Sequence, residues 1–168
     1  MSCGQDSTPI FFMSGEIHVC IWSKGHDWMD SAIKFLTHGD GTHAAFERGN
    51  GMIAENFWPH VRQRAWKSGE RSTVEIYRLE GTGPDDWAMI DDWIDGELKR
   101  PSRYSIQDLA RYALNLPPDP GSSSFCSMWV LRGLRLNLAP DKQPLKRLSY
   151  PDYASPRDIR ISPRLIPA

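Results

Sequence analysis

Two short strand-like stretches, residues 42–46 and 52–57, are separated by Glu47-Arg48-Gly49-Asn50-Gly51, and this arrangement constrains the fold more than any other segment. A Gly/Asn-rich connection of this length signals an antiparallel hairpin. One strand carries His43 and the other Glu55. With residues 47–51 as the connection, Phe46 faces Met52 and the register sets His43 opposite Glu55, where cross-strand Cβ atoms lie about 4.5–5.5 Å apart. A carboxylate at that distance holds one imidazole nitrogen and leaves the other for chemistry. A slip of one residue would move Glu55 to the opposite face.

The rest of the chain supplies more strands early and helices later. Residues 16–22 are β-branched and apolar and read as a buried strand. Asp27 caps a predicted helix running to about Thr37, and residues 72–79 alternate as a further strand. Trp87, Ile90, Ile94 and Leu98 recur at helical spacing. Ser105 with Asp108 resembles a capping box opening a helix through Leu114. The Pro-rich loop 117–121 feeds another helix, striped by Val130, Leu134 and Leu138, and residues 158–161 read as a short terminal strand. The expected fold is α+β, an antiparallel sheet packed against helices. The 168 residues suit one domain with its core at about 15–165, and neither repeats nor a linker divides them.

Cys126 follows Ser124, a good N-cap, which places the thiol in the first turn of its helix. A helix start offers unpaired amides and about half a positive charge, which favour a thiolate and can receive the oxyanion of a tetrahedral intermediate. Cys20 lies inside an apolar strand and reads as structural; Cys3 sits near the N-terminus. Cys126, His43 and Glu55 thus form a nucleophile, a base and an orienter. His18 alternates within a strand as a core residue, His26 and His38 fall in turns, and His60 follows a proline and reads as exposed.

Composition narrows the alternatives. Residues 1–98 carry 16 acidic and 8 basic side chains, and residues 99–168 carry 5 and 12. No run of five like charges supports nucleic-acid binding, so the two halves are expected to interleave and neutralise each other. Three cysteines without a C-x-x-C pair make neither a disulfide framework nor a zinc site, and no ligand spacing points to a metal or cofactor. The N-terminus lacks the basic start and apolar core of a signal peptide, and no apolar run is long enough to span a bilayer. The expectation is a cytoplasmic protein without an integral membrane segment, with signal-independent export or phage association as the other routes. Seven Trp suit either core packing or an aromatic-lined groove.

The order of the three groups is distinctive: His and the acid precede Cys. Thr42-His43-Ala44, Ile53-Ala54-Glu55 and Phe125-Cys126-Ser127 resemble, in that order, the motifs of the circularly permuted branch of the NlpC-type papain-like superfamily, the YiiX-like proteins. Ser155-Pro156-Arg157-Asp158 and Ser162-Pro163-Arg164-Leu165 are similar to the family's closing segment. The acidic helix 85–98 and the loop 117–121 are not marks of that family. The resemblance implies a papain-like core and a thiol hydrolase acting on amide bonds of peptides or cell-wall peptides, with Cys126 as nucleophile, His43 as base and then acid, and Glu55 as orienter. It also implies a substrate-side tyrosine, Tyr104, with Tyr112 competing for that place. The same triad on acyl esters would make an esterase, lipase or acyltransferase. A non-catalytic binding, phage or envelope accessory protein is the reading from another class. Replacing Glu55 by Gln is expected to weaken turnover and leave folding intact.

Overall fold

The structure is a computed structural model, which describes residues 15–23, 31, 33–35, 40–117, 124–144 and 154–168. Six strands form one sheet: β1 (His18–Trp22), β2 (His43–Glu47), β3 (Met52–Phe57), β4 (His60–Ala65), β5 (Val74–Leu79) and β6 (Leu165–Pro167). Their order is β4-β3-β2-β1-β5-β6, and every pairing is antiparallel. The helices are α1 (Pro84–Lys99), α2 (Ile106–Ala113), α3 (Cys126–Asn137) and the short α4 (Pro156–Arg160). The α+β expectation is met at this level. Residues 33–35 are helical, within the predicted 27–37 helix; Asp27 and Trp28 lie outside the described residues.

Strand alternation decides where the core sits. In β1, Val19 and Ile21 join Phe46 and Ala54 beneath Ile90 and Ile94 of α1 and Trp129 and Leu134 of α3. Cys20 and Trp22 turn to the other face, with Ala45, Ile53 and Val74. Helix α3 lies across β2 and β3. Fully buried Trp129 has Phe46 at 5.5 Å and Trp93 at 5.1 Å between ring centroids. Rings of this kind bury about 150–250 Å² each, about 4–6 kcal/mol of transfer free energy apiece. Trp93 approaches α3 so closely that a Cβ on Gly133 would lie 2.5 Å from its Cζ3. The tryptophan count therefore serves packing at Trp22 and Trp129, whereas Trp58 is half exposed.

Four local expectations differ from the structure. The strand read at 72–79 begins only at Val74, because Glu70–Thr73 closes a 3-10 turn. Residues 158–161 are not a strand: Ser155 and Asp158 form a reciprocal capping box with Pro156 in the first turn, so Pro156–Arg160 is helical and the strand follows at Leu165–Pro167. His60 is exposed as expected, but it opens a strand, β4, that the polar sequence His-Val-Arg-Gln-Arg-Ala conceals. Ser124 is not the cap of the Cys126 helix; Phe125 occupies that position. The acidic and basic halves do meet, through Arg160 with Asp40 (2.6 Å) and Glu75 (2.9 Å) and Lys142 with Asp86 (2.7 Å). Among the described residues no helix is long and apolar enough to cross a membrane.

Candidate active site

The β2–β3 hairpin closes with a three-residue loop. The Arg48 N–H donates to the Met52 carbonyl (2.8 Å) and the Gly51 N–H to the Arg48 carbonyl (2.8 Å). Gly51 has φ +76°, the left-handed residue that lets a type I turn rejoin the strand. This loop is two residues shorter than predicted, so Phe46 pairs with Ala54 and Glu47 with Ile53, not Phe46 with Met52. A shift of two preserves the face on which every side chain lies. Glu55 is thus a diagonal neighbour of His43 on the same face, within reach of two long side chains. The His43 Nε2–H donates to Glu55 Oε2 at 3.0 Å, with the pair buried.

Cys126 opens α3, and its side chain hydrogen-bonds the His43 ring. With Nε2 committed to Glu55, Nδ1 is the nitrogen left for the sulfur. Phe125 has no side-chain acceptor for the amides of the first turn, so those N–H groups carry no cap. The helix start is anchored by the segment before it. Asn56 Nδ2 donates to both the carbonyl and the hydroxyl of Ser124 at 2.9 Å. The Ser124 N–H donates to the Arg103 carbonyl (3.1 Å), and the Ser105 N–H donates to the Ser124 carbonyl (2.9 Å). The hydroxyl expected to cap the helix is instead engaged by a strand residue. Asn56 therefore ties the thiol's helix to the strand that carries Glu55.

Electrostatics around His43 follow from what encloses it. Burial opposes the imidazolium, but the Cys126 sulfur and the Glu55 carboxylate more than offset it, raising the His43 pKa to about 10. Burial would also raise Glu55, yet His43 and then Arg64 hold its carboxyl well below the usual range. Arg62 Nε and Arg64 Nε both donate to Glu55 Oε1 at 2.8 Å. Arg64 Nη2 also donates to Glu70 Oε1 (2.7 Å), which accepts the Trp22 indole N–H (3.1 Å). Trp22 returns to His43, its ring 5.2 Å away. His43, Glu55, Arg64, Glu70 and Trp22 thus close a cycle. Phe57 adds an edge-on ring 5.7 Å from His43.

Cys20 has the opposite surroundings. It is buried in β1, and desolvation together with the Glu47 carboxylate pushes its thiol far up, holding it neutral. His18 also has carboxylate neighbours, Glu47 at 3.4 Å and Glu16 at 3.7 Å, a pairing the sequence did not suggest. Cys3, His26 and His38 lie outside the described residues.

Of the four site residues predicted from sequence, the structure brings Cys126, His43 and Glu55 together. Tyr104 packs in the same buried apolar cluster as Cys126 and Phe125. Tyr112, half-buried, packs against the same cluster with its ring edge-on to Phe125 at 5.9 Å, and its hydroxyl donates to Asp158 Oδ2 at 2.8 Å. Asn56, Arg62, Arg64, Glu70 and Trp22 were not anticipated. Glu55 pairs directly with Arg62 across β3–β4, so recognising β4 as a strand, with arginines at alternate positions, would have found both guanidiniums. Cys126 is completely buried and His43 only 7% exposed. Among the described residues no three His, Cys, Asp or Glu side chains gather to hold a metal ion. The arrangement offers a thiol, a base polarised by a carboxylate and uncapped helix amides in one desolvated place. No protein-family model matches the chain, and no curated protein matches it.

Proposed function

We propose that this chain is a cysteine hydrolase of amide bonds, with peptides or cell-wall peptides as the substrate class, on a papain-like core of the permuted NlpC type. The observation that carries the reading is the buried imidazole shared between Glu55 and Cys126. The Cys126 thiolate attacks the carbonyl carbon, forming a C–S bond while the carbonyl π pair moves to oxygen. The uncapped amides at the start of α3 stand beside the sulfur to receive that oxyanion, a contribution of about 2.7–4 kcal/mol per donor. The His43 imidazolium gives its proton to the amide nitrogen as the C–N bond breaks, leaving a thioacyl enzyme and a free amine. Water then attacks the thioester, His43 takes its proton, and the acid leaves with the thiolate restored. Glu55 keeps Nε2–H and so fixes the orientation of the ring through both halves.

The test is selective labelling with turnover. Limiting iodoacetamide should modify Cys126 before Cys20, and amide substrates should be cleaved by the wild type but not by Cys126→Ala. Turnover of short-chain acyl esters or phospholipids alone would reassign the same groups to an acyl esterase. A chain whose Cys126 labels no faster than Cys20, and which cleaves neither class, would be a binding or accessory protein.

A further inference from the structure

Next to the thiol's cluster lies an open cavity of about 380 Å³ lined by Trp58, Pro59, His60, Pro101, Arg103 and Tyr104. Its size falls at the lower end of small-molecule sites. Tyr104 is the shared wall: it lines the cavity and packs in the buried cluster with Cys126. Backbone contacts reinforce the junction, since Tyr104 bridges Ser124 and its N–H donates to the Pro59 carbonyl at 3.0 Å.

The chemistry of the lining is one-sided. His60 and Arg103 are direct antiparallel bridge partners, so their side chains stand on one face about 5 Å apart at Cβ. Both are exposed, and no carboxylate among the described residues pairs with either. Of the two carboxylates nearest Arg103 in sequence, Asp108 is fully buried in α2, and Glu97 is turned to the Ser102 hydroxyl (2.7 Å) and the Trp129 indole N–H (3.0 Å). Two nitrogen-bearing side chains set opposite one another without an acid are an unfavourable pairing in isolation and a good one around an anion. Trp58, 50% exposed, adds a flat apolar face beside them.

We infer that this cavity is a subsite for an anionic group, a carboxylate or a phosphate carried on a flat apolar portion of the substrate that Cys126 attacks. This role rests on the hydrolase reading above. Arg103 and His60 hold the anion, Trp58 packs on the adjoining apolar part, and Tyr104 separates the anchored group from the thiol.

The experiment uses the full chain with Cys126→Ala, so that binding is read without turnover. Phenylacetate, phenyl phosphate and the neutral phenylacetamide are titrated while the Trp58 indole N–H and Arg103 Nε–H resonances are followed. At least one anion should shift both signals and bind at least tenfold more tightly than phenylacetamide. Arg103→Gln should erase that difference, and His60→Gln should reduce it. Preference for phenylacetate identifies a carboxylate-bearing substrate and preference for phenyl phosphate a phosphorylated one. Equal binding of the neutral amide, silence at Trp58, or a preference that survives Arg103→Gln overturns the inference. Anion binding with an inert Cys126 in the wild type would instead remove the hydrolase reading and leave the anion site without its substrate role.

Discussion

Replacing Glu55 by Gln removes one negative charge from a site that is 1% exposed and leaves three donors facing a neutral amide. Arg62, Arg64 and His43 all bond this carboxylate, at 2.8, 2.8 and 3.0 Å. Arg62 is 42% exposed and regains water easily, so its loss is small. Arg64, 18% exposed, keeps Glu70 at 2.7 Å, which softens the loss further. Buried His43 has no other carboxylate among its partners. Breaking a buried pair by removing one partner costs about 3–5 kcal/mol, and the surviving Glu70 contact places the expectation near the lower end, about 3 kcal/mol. The structure therefore revises the expectation that Glu55→Gln spares folding. Urea unfolding at neutral pH should show a lower midpoint with an unchanged slope. The pH dependence fixes the cause. The folded-state pKa of Glu55 is depressed, so its stabilisation is fully present above the unfolded value of about 4.3 and is lost as pH falls through the lower folded value. The gap between wild type and variant should consequently narrow on acidification from about pH 5 downward. A variant within about 0.5 kcal/mol of wild type at pH 7, or a gap that persists unchanged into strong acid, would refute the reasoning.

Three further outcomes test the site and its support. The His43 ring, followed by NMR, should retain its proton to about pH 10, and Cys126→Ala should lower that midpoint because one of the two groups that raise it is gone; an unmoved midpoint would separate the sulfur from the ring. Asn56→Ala removes both hydrogen bonds to Ser124 and should cost about 1–3 kcal/mol while changing the alkylation rate of Cys126; no change in either denies Asn56 a positioning role. Gly133→Ala gains about 1 kcal/mol of helix propensity but drives a methyl to 2.5 Å from Trp93, where overpacking costs about 1–3 kcal/mol; the net should be a lower unfolding midpoint with altered Trp93 fluorescence, and a stabilised variant would show that Trp93 yields freely.

Signals confined to a few neighbouring residues were legible in the sequence. Ser105 caps α2 by accepting the Asp108 N–H at 2.9 Å, as its local pattern indicated. The hairpin was also evident, but its loop length was not, because Gly51 completes the turn in three residues where composition suggested five. Long-range competition accounts for the larger differences. Ser124 has the chemistry of a cap, yet Asn56, 68 positions earlier, claims its hydroxyl. The polar strand β4 carries few β-branched residues, and its reason for pairing is the carboxylate it surrounds on β3. At 158–161 two isoleucines imitated strand alternation, while Ser155, Pro156 and Asp158 held the stronger helix signal.

The enclosed position of Cys126 has a kinetic consequence. A sulfur with no exposed surface cannot meet a reagent in the closed conformation, so modification must follow a prior opening of its surroundings. At low iodoacetamide the observed rate should rise in proportion to reagent concentration. At high concentration it should reach a ceiling equal to the opening rate, shared by any small alkylating agent. The height of that ceiling would set an upper bound on turnover for any substrate that must find the same closed door.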